Sequence, residues 1–560
     1  MTPPEPAAGA DAAPEPAPAA APTPDPAPGR RDPIPAAVRA IAGTLRAAGH
    51  EAHLVGGCVR DLLRGVEPAD WDLTTNARPE QVVALFSGAR YENRFGTVEI
   101  DEGGGTYEVT TYRHDGPYTD HRRPDAVLFG ERLDDDLARR DFTVNAMALD
   151  VGAGAAVESR PGPGAEPRTA AGIEARPQPG AAPGAEPRTE PGTEGSLEHG
   201  AGPGAIHDPF GGRADLAARL LRAVGDPAAR FREDSLRMLR AVRFAATLGF
   251  AVEERTLGAI EANAPLAGSL SGERVLAELL TLLTAPVPSV GLRLAQETGL
   301  LAAIAPELAR QRGVPQGKVP GEDLWDHTCR TVDAAPRPRP DEPPLLRLAA
   351  LLHDVGKPAT FADGHFVGHD AVGASLTEAW LTELHAPRFL TADTANLVRH
   401  HMFAYDASWT DAAVRRFIRR CGATAVDDLL DLRAADNVGS GLAADVDGLE
   451  TLRARCHEQL EARVALDLSG LAVDGDDLMK ALDIPPGPAV GVLLDRLLER
   501  VVADPMLNDR SRLLTVAREL VAPAIAAPGN ETPATPGILA PGIGTPGGGE
   551  TGASDETGPA

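Results

Sequence analysis

The sequence predicts an α+β head followed by an all-α neck, body and tail, with disordered termini and one disordered insertion. Up to about residue 226, short apolar runs are separated by glycine-rich and acidic turns, which is typical of strands. Beyond Phe231, apolar residues recur at three- and four-residue spacing, as on the buried face of a helix. Segments rich in Ala, Pro and Gly have almost nothing to bury, so we expect disorder at residues 1–32, about 152–205 and 523–560.

Composition narrows the class of protein. The net charge of −27 is not typical of a nucleic-acid binder, so an RNA-binding face would have to be locally basic. The arginine runs at 237–243 and 415–420 are candidates, or else solvated helix faces. Four widely spaced cysteines without a Cys-x-x-Cys pair argue against a disulfide framework or zinc ribbon and fit the reducing cytoplasm. Because no apolar run reaches the roughly 20 residues of a membrane helix, we expect no membrane association.

The first elements of the head can be predicted in order. Apolar residues at helical spacing predict a helix over residues 35–48, and a short strand at 53–55 then leads into Gly56 and Gly57. A second strand follows Asp72, and residues 79–86 predict a helix. Residues 95–100 and 106–112 predict two strands joined by a glycine-rich turn.

Two carboxylates, Asp70 and Asp72, mark a candidate catalytic metal site. Residues two apart on a strand point the same way, and adjacent carboxylates repel each other unless a cation lies between them. Mg²⁺ binds carboxylate oxygens together with substrate phosphates. Upstream, Gly56 and Gly57 allow close approach of the backbone to a phosphate, and Arg60 adds a bidentate donor. This combination predicts phosphoryl or nucleotidyl transfer.

Glu108 is a candidate third carboxylate for the same metal site. It lies in the second strand of the predicted hairpin, at alternation with Thr110 and Tyr112. The alternative is an ordinary strand residue that faces solvent.

These motifs resemble the DNA polymerase β-like nucleotidyltransferase superfamily, in particular the class II CCA-adding tRNA nucleotidyltransferases and the related bacterial poly(A) polymerases. The run at residues 139–148, Arg-Arg-Asp-Phe-Thr-Val-Asn-Ala-Met-Ala, is similar to the family's second motif. The resemblance implies that Arg140 and Asp141 hold the ribose hydroxyls of the incoming nucleotide. Because Asp-Pro-Phe-Gly-Gly at 208–212 continues the family pattern after the insertion, we expect the head to span residues 33–226.

Asp234 and Arg237 lie three residues apart at the start of the predicted neck, residues 227–310, and so share a helix face. Spacing alone is that of an ordinary intrahelical salt bridge, whereas the family resemblance implies that the pair reads the base. Cytosine and adenine both present an exocyclic amine beside a bare ring nitrogen, which suit a carboxylate and a guanidinium respectively. Uracil and guanine present the opposite pattern, and both contacts would fail.

A histidine-rich region at residues 311–445 resembles the HD superfamily of metal-dependent phosphohydrolases, because His-Asp follows an apolar helix in Leu-Leu-His-Asp-Val-Gly-Lys at 351–357. Imidazole and carboxylate suit a divalent transition metal. The resemblance implies a first set of ligands and two further positions that bind a second metal or a phosphate. The first set is His327, His353, Asp354 and Asp436, and the further positions are His369 and His400. Whether such a region is catalytic or only a structural body stays open.

The resemblance implies an enzyme that adds C, C and A to tRNA from CTP and ATP, with Mg²⁺ in the head and a tRNA-binding tail at 446–522. A bacterial poly(A) polymerase is one alternative, but the stretch at 94–98, Arg-Phe-Gly-Thr-Val, lacks the second basic residue of those enzymes. An enzyme that adds only CC or only A is another. A third is an HD phosphohydrolase with a non-catalytic RNA-binding head. The sequence does not indicate an oligomeric state.

Overall fold

The computed structural model describes residues 33–91, 96–115, 127–152, 205–445, 448–462 and 464–525. The segments expected to be disordered, 1–32, about 152–205 and 523–560, lie almost entirely outside these ranges.

The first part of the chain confirms the predicted α+β head. Its strands are β1 (His53–Val55), β2 (Asp72–Thr75), β3 (Ala89–Arg90), β4 (Thr97–Glu102), β5 (Gly105–Thr111), β6 (Arg113–Asp115), β7 (Val127–Phe129), β8 (Ala148–Asp150) and β9 (Ile206–His207). Its helices are α1 (Ala36–Ala47), α2 (Gly57–Arg64), α3 (Pro79–Leu85), α4 (Leu133–Ala138) and α5 (Gly212–Ala218). The helices and strands predicted between residues 35 and 112 are all present, with ends shifted by a few residues.

Seven of these strands form one mixed sheet in the order β3-β4-β5-β2-β1-β8-β9, while β6 and β7 pair with each other. The β2–β5 pair is parallel and the other neighbours in the large sheet are antiparallel. Strand β9, which follows the insertion, pairs with β8, which precedes it. The head therefore continues beyond the insertion, as the sequence predicted.

The core of the head lies between the sheet and its helices. Buried residues of α1, such as Ile41 and Leu45, pack with Leu54 and Leu73 of the central strands. Neighbouring strand residues point to the other face of the sheet, where Val55 joins a second apolar cluster. Covering both faces fixes the register of β1 and β2, and therefore the position of the acidic residues at the start of β2.

Helices make up the rest of the described chain, apart from the small parallel pair β10 (Leu220–Leu221) and β11 (Ala251–Val252). The predicted neck contains α6 (Pro227–Glu233), α7 (Leu236–Leu248), α8 (Glu254–Asn263), α9 (Gly272–Leu283), α10 (Ser289–Glu297), α11 (Leu300–Ile304) and α12 (Pro306–Ala309). The following helices are α13 (Leu324–Ala334), α14 (Leu345–Leu352), α15 (Lys357–Thr360), α16 (His369–Glu383), α17 (Arg388–His400), α18 (Asp411–Cys421) and α19 (Val426–Gly439). The last ones are α20 (Leu449–Glu461), α21 (Gly475–Leu482), α22 (Pro488–Ala503) and α23 (Arg510–Ile525).

The described residues form two compact units. The first contains the chain up to Ala407 together with Thr424–Arg453, and the second contains Ser408–Ala423 and the chain from Ala454 onward. The first unit thus includes the head, the neck and most of the histidine-rich region, of which residues 408–423 belong to the second unit. The second has its own apolar core around Leu497 and Leu513. The predicted boundaries between neck, body and tail stay predictions.

All four cysteines are free and buried, in line with the expectation of no disulfide. Among the described residues, no helix combines the length and the apolar character needed to cross a bilayer.

Candidate nucleotide and metal sites

The candidate acidic site forms where β2 begins. Asp72 is the first residue of β2, and the parallel pairing of β2 with β5 places Glu108 directly beside Asp72 in register. Burial and the neighbouring Asp70 raise the pKa of Asp72, although the Arg140 guanidinium opposes this shift. Burial and then Asp72 likewise raise the pKa of Glu108. The three carboxylates therefore share one electrostatic neighbourhood. Glu108 is nevertheless exposed to solvent, so its place in the metal site stays a prediction.

The glycine turn brings Arg140 to the same place. Gly56 has φ 78° and ψ −136° and precedes α2, so its backbone adopts a conformation that only glycine takes easily. A Cβ atom on Gly56 would lie 2.8 Å from Arg140 Nη1 and 3.8 Å from Asp72 Oδ2. The absence of a side chain at Gly56 therefore leaves room for the guanidinium of Arg140 between the turn and Asp72.

Arg60 has an internal partner instead of pointing into an open cradle. Its Nε and Nη2 donate to the two carboxylate oxygens of Asp61 at 3.0 and 2.8 Å, and Nη1 donates to Asn145 Oδ1 at 2.7 Å. The predicted bidentate contact with a phosphate would require the pair with Asp61 to open. Gly57 is the first residue of α2 and lies beside the Arg60 guanidinium.

Asp141 is buried, and both of its carboxylate oxygens accept hydrogen bonds. Its Oδ1 accepts from the Phe142 amide and from Asn145 Nδ2, and its Oδ2 accepts from Arg240 Nε at 2.8 Å. Burial opposes ionisation, but the charge of Arg240 and these hydrogen bonds together outweigh it and lower the pKa of Asp141 to about 2. Arg240 and Arg243 also pair with Glu278. The arginine run that seemed a candidate RNA-binding face is therefore internally neutralised.

Asp234 and Arg237 each pair with a different residue, which overturns the intrahelical salt-bridge interpretation. Arg274 Nη2 donates to both oxygens of Asp234, at 3.0 and 2.8 Å. Arg237 Nη1 donates to Glu233 Oε2 at 2.7 Å, and Arg237 Nη2 donates to the Arg139 carbonyl at 2.7 Å. The sequence did not mark Arg274 as the partner of Asp234, because the two lie 40 residues apart. Glu233 lies only four residues before Arg237, a spacing at which helical side chains can pair, but it was not among the predicted site residues.

The histidine-rich region builds a compact cluster with two halves. Within the described chain, two groups of three have ligand atoms within 4.8 Å of one another: His327, His353 and Asp436, and Asp354, His369 and His401. Asp354 joins the halves, since its Oδ2 is 3.1 Å from His353 Nε2 and its Oδ1 is 3.3 Å from His369 Nε2. The structure thus brings together five of the six predicted residues of this region.

The exception is His400, whose place in the cluster is taken by His401. His400 Nδ1 lies against Asn396, whereas His401 is buried with Nε2 3.3 Å from His369 Nε2 and 3.6 Å from Asp354 Oδ1. Neighbouring residues of a helix point about 100° apart, so only one of the two histidines can face inward. The prediction of His400 is therefore corrected to His401.

The donors of this cluster are oriented as a metal site requires. In His353, His369 and His401, Nδ1 lies 2.6 to 2.8 Å from a backbone carbonyl, which fixes the ring and turns Nε2 inward. Burial raises the pKa of Asp354, but the charges of His353 and Lys357 outweigh it and hold that pKa well below its usual range. Ionised carboxylates and inward-facing imidazole nitrogens fit a divalent transition metal.

Comparison with known proteins shows the family. Models for the poly A polymerase head domain, the HD domain and a putative tRNA nucleotidyltransferase domain 2 match residues 52–162, 302–443 and 375–517. A further model, for the probable RNA and SrmB- binding site of polymerase A, matches residues 249–312. A CCA-adding enzyme of Geobacillus kaustophilus is 32% identical over 481 residues, which cover 84% of this chain and 93% of the relative. The chain belongs to the family of CCA-adding enzymes. An A-adding tRNA nucleotidyltransferase of Deinococcus radiodurans is 34% identical over 80% of this chain and 91% of the relative.

A solved structure agrees with this membership. The crystal structure of a Bacillus stearothermophilus CCA-adding enzyme in complex with CTP is 28% identical, covers 87% of this chain and 98% of its own, and has a TM-score of 0.60. As a member of the CCA-adding enzyme family with an HD domain, this protein is a nucleotidyltransferase that depends on divalent metal.

Proposed function

We propose that the protein adds C, C and A to the 3′ end of tRNA, from CTP and ATP and without a nucleic-acid template. One observation carries this proposal: Arg237 donates to the carbonyl of Arg139, next to Arg140, whose guanidinium neighbours Gly56 and Asp72. The residue expected to read the base is therefore anchored one position from the residue expected at the ribose and beside the acidic site. The residues expected to choose the base therefore lie next to those expected to perform the transfer.

The acidic residues fit magnesium. Asp72 and Glu108, whose pKa values are raised by burial and by neighbouring carboxylates, offer hard oxygen donors of the kind Mg²⁺ prefers. Asp70 and Asp72, with Glu108 beside them, would hold the metal. When bound, it supplies charge neutralisation during phosphoryl transfer. Arg140 contributes a fixed positive charge next to these carboxylates, and Asp141 supplies an ionised acceptor for a ribose hydroxyl.

Asp234 and Arg237 both keep hydrogen-bonding capacity that a nucleotide base could use. Within the described part of the chain, contacts to Arg237 use both Nη1 hydrogens and one Nη2 hydrogen. The Nε–H and the other Nη2–H can then donate to the ring nitrogen of cytosine or adenine. A carboxylate has about four lone-pair positions. Asp234 can therefore accept from an exocyclic amine while it keeps the pair with Arg274.

The test is incorporation of each labelled nucleoside triphosphate into tRNA that lacks its CCA end. The proposal expects C without ATP, A only after two C residues, and negligible U or G. Arg237→Ala should lose that preference, because the donor to the ring nitrogen is removed, while Arg232→Ala serves as an exposed arginine control nearby. Efficient use of UTP by the wild-type protein, or unchanged selectivity in Arg237→Ala, contradicts the proposal.

Addition of A alone is a second candidate, because the Deinococcus relative of similar identity is an A-adding tRNA nucleotidyltransferase. The same assay separates the two: an A-adding enzyme extends tRNA that already ends in CC but does not use CTP on tRNA that lacks all three nucleotides. A ladder of many A residues would indicate a poly(A) polymerase instead.

An additional phosphohydrolase activity is favoured by the cluster around Asp354. Four histidines and two aspartates converge there, and Lys357 Nζ lies 2.7 Å from Asp354 Oδ2, where its charge can meet a phosphate. A divalent transition metal held by these residues would supply Lewis-acid chemistry for phosphoester hydrolysis. Phosphate release that requires added transition metal and disappears in Asp354→Ala, with CCA addition retained, is the expected result. Release that persists in Asp354→Ala contradicts it.

A further inference from the structure

Helix α16 connects the histidine cluster to the neck. It begins at His369, one of the cluster residues, and ends at Glu383, so its fifteen residues span about 22 Å at 1.5 Å per residue. At its first turns, the backbone packs tightly against the turn that follows His353. A Cβ on Gly356 would lie 2.2 Å from the His369 carbonyl oxygen and 2.6 Å from the Gly373 nitrogen. The start of α16 is therefore fixed by backbone contact.

The end of α16 makes a second contact of the same kind, with the start of α9 in the neck. A Cβ on Gly272, the first residue of α9, would lie 2.5 Å from the Glu383 carbonyl oxygen and 2.6 Å from Leu384 Cα. Both are backbone atoms, which cannot move aside as the end of a flexible side chain can. Close by, Trp380 Nε1 donates to the Ile304 carbonyl at 3.1 Å. Only glycine at position 272 lets α9 lie this close to α16.

Arg274, the partner of Asp234, lies two residues beyond Gly272 in the first turn of α9. Arg274 holds both oxygens of Asp234 and is three-quarters buried. Gly272 and Arg274 belong to the same turn of α9, and Gly272 lets that turn lie close to α16. The position of the turn therefore determines where the Arg274 guanidinium lies. A shift of α9 away from α16 would move Arg274 relative to Asp234.

We propose that Gly272 is a positioning residue for nucleotide selection, which acts through Arg274 on Asp234. The histidine-rich region then serves as a fixed support for the neck. Helix α16 packs against the turn after His353 at one end and against the start of α9 at the other. This inference rests on the proposed role of Asp234 in reading the base. It assigns the HD region a part in nucleotide choice that does not require hydrolysis.

A double-mutant cycle tests this inference in the full-length protein. The variants are Gly272→Ala, Arg274→Gln and the combination, with Gly258→Ala as a control because a Cβ there meets open space on α8. The readout is the ratio of CTP to UTP incorporation. Weakening a hydrogen bond to a charged group changes an equilibrium by about tenfold, so each single variant should lower the ratio by that order. Because both act through one contact, the combination should be no worse than Arg274→Gln alone.

Hydrogen exchange gives a readout that does not depend on nucleotide choice. Gly272→Ala should accelerate exchange of the amides at 235–240, which follow Asp234, and leave those of α1 unchanged. If Gly272→Ala does not fold, Trp380→Phe, which deletes the bond to Ile304, should produce the same changes more weakly. Additive effects in the cycle, or a lower melting temperature with an unchanged ratio and unchanged exchange at 235–240, would overturn the inference. Faster exchange without altered selectivity, together with normal selectivity in Asp234→Ala, would instead overturn the proposed role of Asp234.

Discussion

Replacing Gly56 with alanine tests the geometry of the acidic site most sharply. The new Cβ would lie 2.8 Å from Arg140 Nη1, whereas ordinary contact begins at 3.4 Å, so the guanidinium or the turn must move by about half an ångström. Misplacement of a catalytic group by about 1 Å can cost 10²-fold in rate. We therefore expect Gly56→Ala to lower the rate of nucleotide incorporation by roughly 10- to 100-fold.

A matched control lies at the other end of the same helix. Gly65 ends α2 with φ 70°, and a Cβ there meets nothing within 4 Å. Alanine at either position costs backbone strain of about 1–3 kcal/mol, so both variants should lose similar stability in urea unfolding. Only Gly56→Ala should lose activity, measured as single-turnover incorporation from CTP at saturating tRNA. If the two variants incorporate at the same rate, the placement of Arg140 between the turn and Asp72 has no catalytic role.

Three further predictions follow from the same structure. Burial raises the pKa of Asp72 above its usual 3.8, and only the ionised carboxylate binds metal, so nucleotide incorporation should fall as pH drops through that raised pKa. Lowering the Mg²⁺ concentration should move this fall to higher pH. A fall in rate whose pH does not depend on Mg²⁺ contradicts the assignment. Arg240→Gln should destabilise the fold by about 3 kcal/mol at pH 7 by leaving Asp141 buried and unpaired. The pKa of Asp141 is about 2 in the folded state and 3.8 in the reference state, so its ionisation contributes about 2 kcal/mol of stability above pH 4, which is lost as pH falls towards 2. In urea unfolding, the difference in stability between the wild-type protein and Arg240→Gln should therefore be smaller at pH 3 than at pH 7. Co²⁺ at a hundred times its dissociation constant should raise the free energy of unfolding by about 2.7 kcal/mol in the wild-type protein and not in Asp354→Asn, as calorimetry can measure; an equal rise in both would place the metal elsewhere.

The sequence was most informative where function depends on local spacing. The strand before Gly56, the strand that begins at Asp72 and the helix at 79–86 follow from apolar patterning and turn chemistry, and the structure has them at those places. The resumption of the head after the insertion was likewise predictable, because the motif at 208–212 could be read directly. Strand β9 then pairs with β8 as that reading requires.

Long-range pairs were not predictable. The register that sets Glu108 beside Asp72 comes from the parallel pairing of β2 and β5, which no local pattern specifies. The partners of the expected nucleotide-binding residues lie far away along the chain, as Arg274 does from Asp234 and Arg240 from Asp141. A carboxylate or a guanidinium in a sequence shows that a charge must be satisfied but not which residue satisfies it.

Adjacent residues were ambiguous for another reason. His400 and His401 carry the same chemistry, and only the rotation of the chain at the end of α17 decides which ring enters the cluster. Arg60 likewise has the right chemistry for a phosphate, yet the structure pairs it with its neighbour Asp61. In both cases the residue type suggested a chemistry, and the direction of the side chain had to come from the structure.

The most direct measurement of the central claim is stepwise extension of tRNA that lacks its CCA end, with single nucleotides and their combinations, by the wild-type protein and by Asp72→Ala. We expect the wild-type protein to add two C residues from CTP alone and one A when ATP is also present, and Asp72→Ala to add nothing. Extension with UTP or GTP at comparable rates, or undiminished extension by Asp72→Ala, would contradict an enzyme in which the acidic pair performs the transfer and Asp234 with Arg237 chooses the nucleotide.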